Sequence, residues 1–260
     1  MSLALFATLA VLGGIGGFAA GFLGVGGGIL LFPLLFYAPA LLGFESLDVK
    51  TVTALVISQV FFATLIGGTA HWRSGRVHRQ LALIGAVTAS AGSFVGGIAS
   101  KWVSEWFLLL LFGVVTLLAV AMMFLPEPSV ERELTPAGKL VVPLVPLALL
   151  SSLTGVVVGF LGAGNFIFIP LMIYVLKVPT RISIASNLVI AAASTFAGVS
   201  GKLLTGQIPF LMALAVVAGT GIGALGGEWS HGQLSPRALR YIYAAMVGII
   251  TVRIWITILG

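Results

Sequence analysis

Two stretches of the chain combine closely spaced glycines with apolar flanks: GFLGVGGGILLFP at 21–33 and GFLGAGNFIFIP at 159–170. A glycine inside a helix costs about 1 kcal/mol relative to alanine, so each stretch predicts a helix break. The helix that begins after a break offers an anion its free backbone N–H groups and its positive dipole end, and glycine lets the anion come close. The residues predicted to bind an anion are Gly24, Gly26, Gly27, Gly28, Gly162, Gly164 and Asn165.

Other glycines are spaced by four residues, which is typical of helices that pack closely in membranes. These are Gly13, Gly17, Gly21, Gly92, Gly96, Gly155, Gly159, Gly219, Gly223 and Gly227. For this second set we expect a packing role. The run of three glycines at 26–28 exceeds what packing needs, which is why we assign it to the anion site instead.

Polar side chains inside apolar segments are expensive to bury and therefore suggest a functional site. Ser58 and Gln59 lie together in one apolar segment, and Ser186 and Asn187 lie in another. Their hydroxyl and amide groups can donate hydrogen bonds to an anion. The alternative is a hydrogen bond between neighbouring helices. For Thr64, Ser194 and Thr195 we expect mainly hydrogen bonds to the backbone of their own helix.

Three cationic side chains are candidates for a gate or for attracting anions. His71 and Lys202 lie 131 positions apart at the ends of similar segments, and Arg253 lies inside the last apolar segment. The alternative for His71 and Lys202 is an ordinary position at the membrane interface. Arg253 could instead extend its long side chain to the interface.

The composition places these residues in a membrane protein. Hydrophobic residues make up 59% of the chain and charged residues only 8%, whereas soluble domains carry about a quarter charged residues. Apolar runs of about 20 residues recur along the chain, the length that spans a bilayer as a helix. A β-barrel would alternate apolar and polar residues. We therefore predict an all-α, multi-pass protein of the cell membrane, expected to be a bacterial plasma (inner) membrane.

The remaining composition argues against several other classes of function. The net charge of +6 fits basic residues in cytoplasmic loops and not nucleic-acid binding. The chain has no cysteine and only three histidines, and it shows no nucleophile–base set or paired buried carboxylates. We expect no enzyme activity, no cofactor and no metal. The amino-terminal stretch lacks the basic region of a signal peptide, so we interpret it as a retained first span.

Breakers divide the apolar sequence into ten segments. The predicted segments are 3–21, 28–42, 51–70, 80–100, 106–125, 140–162, 165–177, 182–201, 208–229 and 238–259. The polar stretch at 126–139 separates them into two groups of five. This gives a first transmembrane repeat at 1–125, a linker at 126–139 and a second repeat at 140–260.

The two groups match in sequence, which indicates an internal duplication. An offset of 131 pairs identical residues ten times between 54 and 108, including four glycine pairs, and the opening stretches match at an offset of 138. The glycine pairs at the first offset are Gly67/Gly198, Gly75/Gly206, Gly92/Gly223 and Gly96/Gly227.

Loop charges indicate that the repeats are inverted. With five crossings per repeat, most basic loop residues fall on the cytoplasmic side, and Lys50, Lys101 and Lys202 fall outside. With four crossings the same residues divide evenly, so the positive-inside rule favours five. Inverted repeats with broken helices near the bilayer midplane are typical of secondary transporters.

The doubled glycine motif, together with AHWRSGRV at 70–77, resembles the TauE/SafE sulfite exporter family of membrane permeases. The resemblance implies transport of sulfite, sulfonates such as sulfoacetate, or other small sulfur-containing anions. This sequence departs from the family pattern at GAGN (162–165) and at IASN (184–187), where many members have Gly-Thr-Ser. These departures leave the exact substrate open.

We therefore expect a secondary transporter, and by resemblance an exporter, that moves a small sulfur-containing anion by alternating access. An anion channel or uniporter on the same fold is the alternative. The expected partners are this anion and the lipid bilayer, and a homodimer is considered. The direction, the coupling ion, and whether the first two segments of each repeat cross fully or form a re-entrant pair stay open. We also expect that a bulky residue in place of Gly27 would abolish transport and leave the protein folded.

Overall fold

A computed structural model describes residues 2–23, 26–73, 77–123, 142–231 and 236–259. These residues contain ten α-helices, and each predicted segment overlaps one of them, so the all-α class is confirmed. The predicted linker at 126–139 lies outside the described residues. The helices are α1 (Leu3–Leu23), α2 (Gly28–Leu41), α3 (Val49–Arg73), α4 (Arg79–Ala99), α5 (Glu105–Met123), α6 (Leu144–Leu161), α7 (Asn165–Tyr174), α8 (Thr180–Leu204), α9 (Phe210–His231) and α10 (Pro236–Leu259).

Helix length separates two kinds of helix within the described chain. Seven helices are long and apolar enough to cross a membrane, as expected for a multi-pass membrane protein. In contrast, α2 has 14 residues and α7 has 10. At 1.5 Å per residue these are about 21 Å and about 15 Å long, shorter than the hydrocarbon core of about 30 Å. These two short helices follow the two glycine stretches.

Glycines bring two pairs of helices into close contact. Helix α1 packs on α9, where a Cβ atom on Gly13 or Gly17 would overlap the α9 backbone. Helix α4 packs on α6 in the same manner through Gly92 and Gly96. Both pairs run parallel, because contact positions rise together along each pair. The packing role predicted for these glycines is confirmed, since any larger residue would push the backbones apart.

Helices α3 and α8 lie against each other at the centre of the molecule and run antiparallel. Thr53 contacts Lys202, Ile57 lies beside Gly198, and Leu188 lies beside Gly68, so positions fall along α8 as they rise along α3. In the predicted duplication α3 and α8 are equivalent helices. Antiparallel packing of equivalent helices is the arrangement that inverted repeats require.

The apolar core holds the two short helices in place. Phe32 of α2 is fully buried and stacks on Phe112 of α5, with ring centroids 4.1 Å apart. Phe168 of α7 is buried in a second cluster that includes Leu81 and Ile190. Close van der Waals packing of these large rings holds each short helix in position, because lipid tails supply no hydrophobic driving force between helices. The amino-terminal end of each short helix is thereby fixed inside the bundle.

Candidate functional site

The first glycine stretch forms a break between α1 and α2. Gly26 and Gly27 have φ angles of 85° and 71°, a left-handed conformation that favours glycine. Gly27 is the N-cap of α2, and no side chain caps this helix end. Gly28 and Ile29, the first residues of the helix, are buried. The break therefore leaves a buried helix N-terminus whose N–H groups have no side-chain acceptor. Gly24 lies outside the described residues.

The second glycine stretch forms a similar break between α6 and α7. Gly162 has a φ of 73° and ends α6, and a Cβ there would overlap Thr53 O and reach within 2.5 Å of Ile57 N. Gly164 is the N-cap of α7, again without a side-chain cap. Asn165 is the first residue of α7 and is buried. This break thus differs from the first by placing a polar side chain at the helix N-terminus.

The two breaks meet in space. A Cβ atom on Gly28 would lie 2.9 Å from Cβ of Ala163, which belongs to the second break, and 2.7 Å from Val60 of α3. Both helix N-termini therefore begin in one buried region beside α3. The positive ends of two helix dipoles that converge on one region favour negative charge there.

Three buried amide side chains on the helices around this region lack hydrogen-bond partners. Gln59 of α3 and Asn187 of α8 are fully buried, and neither amide atom of either residue has a partner. Asn165 has an unpartnered Nδ2, while its Oδ1 lies 3.4 Å from the Ser194 hydroxyl. A buried polar group without a partner costs about 1–3 kcal/mol, so these amides are candidates to bind a ligand.

The two serines predicted for the site are already used within the protein. Ser58 Oγ donates to Ala54 O of its own helix at 2.8 Å. Ser186 Oγ accepts a hydrogen bond from the backbone N–H of His78 at 3.2 Å. The expectation for Thr64, Ser194 and Thr195 is confirmed, since each donates to the backbone of its own helix.

Two of the three predicted cationic residues, Lys202 and Arg253, lie on different helices, and neither belongs to a glycine stretch. Lys202 is fully buried near the end of α8 and donates to Thr53 and Ser100. Arg253 is exposed on α10, with its guanidinium 5.5 Å from the ring centroid of Tyr37. The side chain of His71 lies outside the described part of the structure. A gating role for these residues stays a prediction.

The expectation that Gly27 tolerates a bulky side chain without loss of the fold is wrong. A Cβ atom on Gly27 would overlap the carbonyl oxygen of Gly16 and lie 2.9 Å from Ala20 Cβ in α1. A leucine there would also have to adopt a left-handed backbone conformation. A substitution at Gly27 therefore reports on folding and not on anion binding.

Sequence reasoning missed the residues that surround Lys202. Ser100 caps α4, and Gln207 follows α8 in a loop. Thr53 lies on α3, and its hydroxyl donates a hydrogen bond to Lys50 O at 2.8 Å. None of these three residues has an identical partner at the repeat offset of 131, so no sequence signal distinguished them. Tertiary packing alone brings them to one lysine.

No group of three or more potential metal ligands occurs among the residues that the structure describes. Two carboxylates near the start of α3 have structural partners: Glu105 accepts a hydrogen bond from Val49 N, and Asp48 accepts one from Thr51 N. The donors that the structure brings to the breaks are uncharged amides and helix N-termini.

Comparison with known proteins shows the family to which the chain belongs. The fold defines a multi-pass membrane protein in which the N-terminal ends of two short helices lie close together. Residues 9–254 match the family described as Sulfite exporter TauE/SafE, and the chain belongs to this family.

Similar proteins in bacteria are named as transporters. A "Probable membrane transporter protein" of Xylella fastidiosa (strain 9a5c) is 32% identical over 71% of this chain and 68% of its own. A protein of the same name from strain Temecula1 is 29% identical over 82% and 81% of the two chains. YunE of Bacillus subtilis, also named a probable membrane transporter, is 24% identical over 84% and 85%. No solved structure matches.

Proposed function

We propose that this protein is a secondary transporter that exports a small sulfur-containing anion, such as sulfite or a sulfonate like sulfoacetate. One observation carries the proposal: two buried, uncapped helix N-termini meet beside buried amides that lack partners. The substrate class rests on the family description. The bound anion would accept hydrogen bonds from the backbone of Gly26–28 and Gly164–Asn165 and from the amides of Gln59 and Asn165. Asn187 lies about 10 Å along α8 from Ser194, the contact of Asn165, and is too far to share that anion.

The donor set suits an oxyanion that must be released again. A sulfonate or sulfite carries three oxygens, and each can accept hydrogen bonds from N–H groups. Hydrogen bonds to a charged group contribute about 1.5–3 kcal/mol each, so a few amide donors give useful affinity. A lysine or arginine in direct contact would bind the anion more strongly and slow its release. Uncharged donors at helix ends therefore fit a carrier that works in cycles.

Helix directions support alternating access by two inverted repeats. In the described chain, α3 and α8 are antiparallel, and α4 and α8 are parallel, with Gly97 beside Gly198 and Gly85 beside Ile190. Five crossings per repeat produce these directions, whereas four crossings would make α3 and α8 parallel. Rocking of one repeat against the other around a central site would expose the anion to each side in turn.

Transport in proteoliposomes tests the function directly. Purified protein would be reconstituted and screened with sulfite, sulfoacetate, taurine, isethionate and thiosulfate, with and without pH and sodium gradients. We expect saturable uptake of at least one anion, and loss of uptake when Gln59 and Asn165 are both changed to leucine. Absence of uptake for every compound would contradict the proposal. Unitary currents beyond carrier rates would identify an anion channel instead.

Cysteine labelling tests the inverted topology, and the natural absence of cysteine makes single-cysteine variants straightforward. The loops at 71–79 and 229–237 must both be cytoplasmic, because with five crossings per repeat six crossings, α4 to α9, separate them. A membrane-impermeant thiol reagent should therefore label both loops from the same side in oriented vesicles. Labelling from opposite sides would refute the inverted arrangement.

A further inference from the structure

We propose a second anion site, the Lys202 cluster, consisting of Lys202, Thr53, Ser100 and Gln207 at one end of the central helix pair. It would bind a small oxyanion on its path from the aqueous phase to the central breaks. This inference rests on the proposed function, because it concerns the path by which the transported anion reaches the central site.

The Lys202 cluster is a connected network of polar groups. Lys202 Nζ donates to Thr53 Oγ1 at 3.2 Å and to Ser100 Oγ at 2.8 Å. Ser100 Oγ lies 2.9 Å from Gln207 Oε1, and Gln207 Nε2 donates to Gly97 O at 2.9 Å. An ammonium group has three N–H donors, and two are occupied here. The third is available to an anion.

The charge of Lys202 has no counter-charge nearby. The side chain is fully buried, and no carboxylate among the described residues forms an ion pair with it. Lys50 adds a second positive charge close enough to act on Lys202. A buried charge is costly unless it is paired, and a bound anion would supply the missing partner.

Exposure of the lysines increases from the cluster toward the end of the bundle. Lys202 is fully buried, Lys50 is half-buried with its Nζ donating to Lys101 O, and Lys101 is exposed with its Nζ donating to Thr205 O. An anion from the aqueous phase would thus meet exposed, then half-buried, then buried positive charge. Such a gradient of charge attracts anions and concentrates them.

In the other direction the cluster adjoins the second helix break. The carbonyl oxygen of Thr53 is the atom that a Cβ on Gly162 would overlap. Ser93 of α4 lies beside Gly198, which is one turn of α8 from Lys202, and the Ser93 hydroxyl is buried without a partner. From Thr53 to Val60, which contacts the first break, the distance along α3 is about 10 Å. An anion at Lys202 is therefore one short step from the central site.

Charge-selective cysteine labelling tests this site without knowledge of the substrate. We would compare the anionic sulfonatoethyl and the cationic trimethylammonioethyl methanethiosulfonate reagents on a Ser100→Cys variant. Each rate would be divided by the rate of the same reagent with a small thiol in solution. We expect this normalised rate to be about tenfold higher for the anionic reagent, because one unpaired positive charge at close range attracts it. Adding Lys202→Met should bring the ratio of the two normalised rates close to one.

Two controls separate the cluster from general surface charge and from general access. Lys101→Met removes an exposed charge at the same end and should lower the ratio by less than about twofold. Thr116→Cys on α5 replaces a hydroxyl that is as deeply buried but lies outside the proposed path, and it should react with neither reagent. Absence of labelling at Ser100→Cys, or a ratio that Lys202→Met leaves unchanged, would overturn the proposal.

A structural role for Lys202 predicts a different result. If the lysine only ties α3, α4 and α8 together, Lys202→Met should lower the melting temperature in detergent and leave the labelling ratio unchanged. If it awaits an anion, the same variant should melt at an equal or higher temperature, since an unpaired buried charge is removed. Proteoliposomes without transport, but with charge-selective labelling, would refute the proposed function and keep this anion site.

Discussion

The two helix breaks share a role in the backbone but differ in chemistry. Both turn the chain with a left-handed glycine, at Gly27 and at Gly162, and both start a short buried helix without a side-chain cap. The first break offers only backbone N–H groups. The second break adds the side-chain amide of Asn165 to its backbone N–H groups. In the proposed site the anion would therefore meet only backbone donors at one side and a side-chain donor as well at the other.

Packing explains why only the second break carries a side chain. Gly27 and Gly28 are enclosed by α1, α3 and Ala163, so a Cβ at either position would collide with a neighbour. Asn165 stands at the start of α7 and faces Ser194 of α8 within hydrogen-bond distance. A substrate charged at one end only, such as a sulfonate with a different group at its other end, would match this asymmetry.

The largest effect is expected where a break is closed sterically. Gly162→Ala would force a Cβ against Thr53 O and Ile57 N and impose a left-handed alanine. The two penalties together amount to about 2–5 kcal/mol. We expect little monodisperse protein by size-exclusion chromatography in detergent. The matched control is Gly221→Ala on α9, where a Cβ meets no atom within 4 Å; it should purify like the unmodified protein.

Removal of the side chain that distinguishes the second break should abolish most transport. Asn165→Leu deletes one donor to the anion, and we expect uptake to fall by about 10- to 100-fold. The melting temperature should stay equal or rise, because an unpartnered buried amide is lost. Uptake in proteoliposomes and melting in detergent would be measured on the same preparation. Normal uptake by Asn165→Leu would show that the asymmetry has no role in transport.

Neighbouring polar residues on α3 should differ in their importance. Gln59→Leu removes an amide without a partner and should lower uptake by about tenfold. Ser58→Ala removes a hydroxyl that bonds its own helix at Ala54 and should change uptake by less than about twofold. Initial rates over a range of anion concentrations would distinguish the two. Equal losses would mean that the unpartnered amide is not a special feature of the site.

The smallest effect is expected far from both breaks. Arg253 is exposed on α10 and lies over the ring of Tyr37, so Arg253→Met should lower uptake by less than about twofold. An exposed cation–π contact contributes only about 0.5–1 kcal/mol, and a small drop in melting temperature is the expected structural result. A large loss of uptake would instead restore Arg253 as a candidate gate.

The sequence by itself determined the class, the helices and the position of the breaks. A composition with 8% charged residues excludes a soluble fold of this size. The length of each apolar run defines a span, because a helix that crosses a bilayer must match its thickness. The breaks were readable because glycine is costly inside a helix. Helices α2 and α7 begin at Gly28 and Asn165, the positions that the glycine stretches indicate.

Only the tertiary structure decided which residues meet. Packing between helices distant in sequence brings Gly28 to Ala163, the His78 N–H to Ser186, and Lys202 to Thr53 and Ser100. Ser58, in contrast, bonds Ala54 of its own helix. The sequence around a hydroxyl or an amide looks the same whether that group bonds its own helix or faces a cavity. Its partner, and therefore its availability to an anion, is set by the neighbouring helices alone.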